Sequence, residues 1–114
     1  MPRFAILEHD HPILHWDLLL EHGPACRTWR LATPLDGDET IAAEELPDHR
    51  LLYLDYAGPV GGNRGKVTQW DAGAFIWLTA TENCVAVLIA GNRWSGRLEL
   101  QRIQEGWQVN LSPR

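Results

Sequence analysis

Apolar and polar positions alternate along most of this chain in runs of five to nine residues, cut by glycine, proline and asparagine. Period-2 alternation of that length is the mark of half-buried strands. The pattern predicts strands over residues 3–9, 13–21, 27–32, 40–46, 51–56, 66–71, 74–81, 84–90, 97–102 and 107–111. Residues 40–46 carry alanines and glutamates that suit a helix as well, and the strand is the preferred reading. Turn signals fall at His22-Gly23-Pro24, Asp36-Gly37-Asp38, Asp71-Ala72-Gly73, Glu82-Asn83, Gly91-Asn92 and Glu105-Gly106. A train of short strands at this spacing belongs to barrels and sandwiches, and a mostly β, closed or nearly closed barrel is expected. No repeat or linker divides the train, so residues 1–114 read as a single domain.

Composition adds a core and removes some partners. Hydrophobic residues make up 45% of the 114, and six tryptophans supply large buried surfaces. The tryptophans at 70, 77, 94 and 107 sit in or beside strand patterns and read as core rather than as base-stacking platforms. The net charge is −5 with a single lysine, Lys66. A protein that grips long stretches of duplex is basic, so any contact with nucleic acid is expected to be local, at an end or one phosphate. Cys26 and Cys84 have no metal or redox spacing and read as free thiols. There is no apolar run near 20 residues and no signal-peptide pattern, which predicts a cytoplasmic protein away from membranes.

The strongest chemical signal is Glu8-His9-Asp10-His11-Pro12-Ile13-Leu14-His15-Trp16-Asp17. His15 and Asp17 are two apart on a predicted strand and share one of its faces, which Leu19 continues. His9 lies just before the intervening turn and can fold back toward them. Two imidazoles and a carboxylate make a mixed site suited to manganese, zinc or iron. Spacing alone equally allows surface or core histidines in ordinary hydrogen bonds. In a second cluster, His49 and Tyr53 are four apart. A histidine can place a charge or a proton at a phosphate, and a tyrosine hydroxyl can donate to it. Spacing alone favours an exposed turn histidine beside a core-edge tyrosine. The glycine-rich stretch from Gly58 to Gly65 is not a nucleotide phosphate loop: Val60 and Val67 occupy positions where glycine and a hydroxyl residue are needed. It reads as a broad hairpin loop, with Arg64 and Lys66 as weak phosphate contacts.

Taken in order, these segments resemble the 3′-phosphoesterase module of bacterial ligase D. The resemblance runs through His9, His15-Trp16-Asp17, Thr28-Trp29, Asp48-His49 with Tyr53, Asp55-Tyr56-Ala57-Gly58, the glycine-rich loop, and Gly65-Lys66-Val67-Thr68-Gln69-Trp70-Asp71. It implies a compact β-barrel with a polar crater, and manganese held by His9, His15 and Asp17. It implies removal of a 3′ ribonucleoside and then a 3′ phosphate from DNA or RNA, with His49 and Tyr53 at the phosphate or leaving group. Nucleic-acid 3′ ends, a repair protein such as a ligase, and a monomeric chain follow as expectations.

Several positions depart from the family. Leu19 replaces an arginine, Leu7 a glutamine and Pro47 an acid, and Ala32-Thr33-Pro34 lacks a lysine. Each lost donor weakens phosphate binding. Two readings follow: a phosphoesterase of weak or altered activity, and a catalytically impaired member that binds a nucleic-acid end or a repair protein. If Leu19 forms an apolar floor to the site, Leu19→Arg should raise 3′-phosphatase activity. Arg27, Arg30, Arg64 and His11 are the side chains available to replace the missing arginine.

Overall fold

The computed structural model describes residues 1–34 and 40–113. The expected turn at Asp36-Gly37-Asp38 lies outside the described residues. Nine strands are present among them: β1 Arg3–His9, β2 His15–His22, β3 Ala25–Leu31, β4 Thr40–Arg50, β5 Gly58–Pro59, β6 Lys66–Ala80, β7 Cys84–Gly91, β8 Ser95–Ile103 and β9 Gly106–Pro113. Neighbours pair antiparallel in the order β1-β2-β3-β4-β9-β8-β7-β6, and β6 returns to pair with β1. The eight-stranded barrel is therefore closed, and closure removes the long free edges that another chain could extend. β5 is a two-residue ribbon lying outside this ring on β6.

Alternation fills the barrel. Phe4 and Ile6 of β1, Leu18 and Leu20 of β2, and Trp29 and Leu31 of β3 point inward. They meet Phe75, Val85, Val87, Ile89, Leu98, Leu100, Trp107, Val109 and Leu111 from the other side. Trp107 is fully in this core, and Trp70, Trp77 and Trp94 pack against its margin, in line with their sequence pattern.

Two elements differ from expectation. Residues 66–71 and 74–81 are one continuous strand, β6, and not two strands parted by a turn at Asp71-Ala72-Gly73. Its first half pairs with β1 and its second with β7. Extra residues at Trp70 and Leu78 bend it between the two partners, as β-bulges do. Gly73 is needed at the crossing because a Cβ there would collide with the Ala90 carbonyl. Asp71 does serve a turn, but a distant one. Its buried carboxylate accepts the backbone N–H groups of Asn92, Arg93 and Trp94 at 2.7, 3.1 and 3.0 Å, closing the β7–β8 connection.

The second correction is at 51–56. Instead of a strand, Leu51–Leu54 forms a single 3-10 turn after β4 leaves the barrel. Leu54 docks on the outer surface of β1–β3, on a small second cluster of Ala5, Leu7, Leu19 and Cys26. The outer face of these strands is thus half apolar and half polar, and the polar half carries His9, His15, Asp17 and Arg30.

Candidate active site

Register places the expected residues together. His9 is directly opposite His15 and Leu7 opposite Asp17 across β1–β2, while Asp17 is opposite Arg30 across β2–β3. All of these side chains leave the barrel on its outer face. His49 reaches the same face from β4, where it pairs with Cys26. The 3-10 turn then brings Tyr53 ring to ring with His49 at 5.9 Å, and Arg50 covers the Tyr53 ring.

A crater of about 430 Å³ results, lined by His9, Asp17, Arg30, His49, Tyr53 and Arg64. The fifth expected residue, His15, does not line this crater. It lies behind it, buried, on the wall of a neighbouring cleft.

The far wall is the β5–β6 hairpin, held in place by β1. Asp10 accepts the backbone N–H of Lys66 at 2.8 Å. Gly65 has φ +75°, and a Cβ there would overlap the Asp10 carboxylate, so glycine is required. This clamp sets the Arg64 carbonyl 2.9 Å from His9 Nε2.

The hydrogen bonds fix which nitrogen faces the site. A carbonyl only accepts, so each ring nitrogen bonded to one carries a proton. His15 Nδ1 donates to the Ile13 carbonyl at 2.8 Å, and His49 Nδ1 to the Pro47 carbonyl at 3.0 Å. His9 Nε2 donates to the Arg64 carbonyl. In the neutral rings the nitrogens left with a free lone pair, able to accept a hydrogen bond or bind a cation, are His15 Nε2, His49 Nε2 and His9 Nδ1.

His15 Nε2 is buried without a hydrogen-bond partner and stands 3.6 Å from Asp17 Oδ2. A bare nitrogen lone pair facing a carboxylate oxygen is unfavourable unless a cation lies between them. The separation is close to the roughly 3.4 Å between neighbouring N and O ligands at tetrahedral angles and metal bonds near 2.1 Å. The rings of His9 and His15 are 5.0 Å apart in an edge-on arrangement. Among the described residues no group of three or more histidine, cysteine or acidic side chains is arranged to hold a metal ion. The His15–Asp17 pair, with the His9 ring beside it, has the donor chemistry of a divalent-ion site with two groups converging.

Arg30 is the residue that the sequence leaves among four alternatives. Its Nε donates to Asp17 Oδ1 at 3.2 Å, so its guanidinium enters the crater from the strand next to β2. Arg27 is instead engaged at the barrel end with Glu45 and the Thr81 carbonyl. Arg64 lines the crater with its Nε bonded to the Gly61 carbonyl, and His11 stays 6.4 Å from His9 ring to ring. Arg30 is hidden in the sequence because its pairing with Asp17 depends on register, which the sequence does not state.

Leu19 is not an open floor. It is fully buried in one cluster with Leu54, so an arginine there would have to disturb that packing. Cys26, the register partner of His49 on β3, is a buried thiol. Burial, then the charges of Glu21 and Asp48, push its thiol up to about 11 against the opposing pull of Arg3.

The chain is thus an all-antiparallel closed barrel whose outer wall carries a crater of histidine, carboxylate, arginine and tyrosine side chains. Residues 7–110 match the model of the DNA ligase D 3′-phosphoesterase domain, and the chain belongs to that family. It is also 28% identical over 110 residues to the multifunctional non-homologous end joining protein LigD of Pseudomonas aeruginosa. That alignment covers 88% of this chain and 13% of the relative.

Proposed function

We propose that this protein is a manganese-dependent phosphoesterase that trims the 3′ ends of DNA or RNA strands in repair. It would remove a 3′ phosphate or 3′ ribonucleoside. The observation that carries this reading is the meeting of His9, Asp17, Arg30, His49 and Tyr53 around one crater, with the unpartnered His15 Nε2 behind it.

In this reading His9, His15 and Asp17 hold the ion. The chemistry supplied by a bound divalent ion is charge neutralisation at the phosphate and a more acidic water. Arg30 keeps Asp17 oriented through Nε and presents its remaining N–H groups to phosphate oxygens. His49 Nε2 serves as proton acceptor or donor at the reacting oxygens, with its ring fixed by the Pro47 carbonyl. The Tyr53 hydroxyl donates to the phosphoryl group. The −5 charge agrees with a contact confined to the strand end. A cytoplasmic setting and a repair partner such as a ligase belong to the same reading, as the relative's name in end joining suggests.

The test is manganese-dependent phosphate release from a 3′-phosphate primer, together with manganese titration by calorimetry. Wild type should turn over and bind one ion per chain. His49→Ala should lower kcat by roughly 10²–10⁴ with the ion still bound, and Asp17→Ala should lose both. Turnover that survives Asp17→Ala would end this reading. The burial of Leu19, which leaves no guanidinium on β2 itself, favours a second one: a binding module for strand ends. Tight 3′-phosphate binding without turnover selects it.

A further inference from the structure

Beside the crater, on the same outer wall, lies a cleft of about 550 Å³ that no step above uses. Its walls are the loop residues Pro12, Ile13 and Leu14 on one side and the outward residues Ala42 and Glu44 of β4 on the other, with Arg30 between. Ile13 and Leu14 are 77% and 48% exposed. Two adjacent bulky aliphatic side chains facing solvent call for an occupant.

The cleft adjoins the crater, with one side chain as their common wall. Arg30 lines both, and His15 backs the cleft while its Nε2 faces Asp17. A ligand whose phosphate sits in the crater against Arg30 can therefore reach over that side chain into the cleft. The volume falls in the roughly 300–1,000 Å³ range of small-molecule sites. Arg30 offers a flat cation, and unstacked nucleobases lie readily on guanidinium planes and apolar side chains.

We propose that this cleft seats the terminal nucleoside, base and sugar, of the strand whose 3′ phosphate occupies the crater. The inference rests on the phosphoesterase reading above. The wall is mainly aliphatic, with Glu44 and Arg30 as its outward charged groups, so the base is held by stacking and shape with little discrimination among bases. A base bound there is out of the helix, and unpairing is least costly where the end is already single-stranded. The protein thus favours unpaired or frayed 3′ ends over blunt ones.

Fluorescence anisotropy with a short 5′-labelled single strand tests this. Three ends are compared: 3′-phosphate with a terminal base, 3′-phosphate with an abasic terminal residue, and 3′-hydroxyl. Ala42→Trp fills the cleft at an exposed strand position, and Ile13→Asp makes its rim polar at a loop position. Wild type should prefer the base-bearing 3′-phosphate over the abasic one at least tenfold. Both variants should lose that preference, while inorganic phosphate competes with unchanged strength. Equal affinity for base-bearing and abasic 3′-phosphate ends, with phosphate still competing, overturns the cleft and leaves the crater standing. No advantage of 3′-phosphate over 3′-hydroxyl overturns the phosphate reading, and the cleft assignment falls with it. A preference retained in both variants also overturns the cleft assignment.

Discussion

The two faces of β1, β2 and β3 are made from the same residues in alternation, yet they do opposite things. Inside, Phe4, Ile6, Leu18, Leu20, Trp29 and Leu31 join a dry core fed by every strand of the closed ring. Outside, the same strands carry His9, His15, Asp17 and Arg30 next to a five-residue apolar cluster capped by one turn. The inner face is indifferent to which apolar group fills it, provided the volume is right. The outer face tolerates polar groups because only one side is covered, and its shape depends on Leu54 and the β5–β6 hairpin. Stability and chemistry are therefore separated by one residue of strand parity.

The sharpest way to break that separation is to put charge on the covered half of the outer face. Leu19→Arg buries an unpaired cation under Leu54 and should cost roughly 3–5 kcal/mol of stability, read as the urea midpoint. This replaces the expectation that an arginine at 19 restores activity. A variant that gains turnover at wild-type stability would show that Leu54 lifts easily and that the outer cluster is not a fixed lid.

Adjacent truncations compare the faces directly. Leu18→Ala opens a cavity in the closed core and should sit in the upper part of the roughly 2–5 kcal/mol range for such changes. Leu19→Ala, in a small cluster that can settle onto its neighbours, should fall at the lower end. Equal losses would mean that the outer cluster is packed as tightly as the barrel. Asp17→Ala should change stability by less than either, about 1 kcal/mol or under, because its half-exposed partner Arg30 can turn to water. Metal binding, by contrast, should be abolished.

A separate comparison concerns pH. In the folded protein Cys26 holds its proton up to about 11, against about 9 in an open chain. Above pH 9 the unfolded chain ionises first, so stability should fall as pH rises from 9 to 11. Below 9 the contribution is fully present. Cys26→Ala should flatten that part of the profile. Thiol labelling at neutral pH should reach the partly exposed Cys84 at once and Cys26 only on unfolding.

Strand parity makes the outer site legible in the sequence: His15 and Asp17 have to share a face, and apolar alternation marks the inner wall. The 3-10 turn is not legible. Leu51-Leu52-Tyr53-Leu54 is a short apolar run that periodicity cannot tell from a buried strand, and the docking of Leu54 on a distant cluster goes with the 3-10 turn. Asp71-Ala72-Gly73 misleads for a related reason. Its residues have turn chemistry, but beyond the Ala72 N–H the Asp71 carboxylate serves the Asn92–Trp94 turn, and Gly73 makes room for the Ala90 carbonyl, while the segment itself stays extended. Arg30 needs a register, and register is a tertiary fact.

The seam where β6 closes on β1 sets when the site comes into being. Its last rung pairs His9 with Val67, and the Asp10–Lys66 clamp lies immediately beyond it. Contacts between residues so distant along the chain wait on a long loop to close, and folds dominated by such pairings assemble slowly. On the ribosome, His9 and His15 can meet across their own hairpin early. The crater lacks its far wall until the chain has grown past residue 67 and the ring has shut. A half-made chain therefore holds the histidine pair without the pocket, and the far wall of the crater is a by-product of that seam.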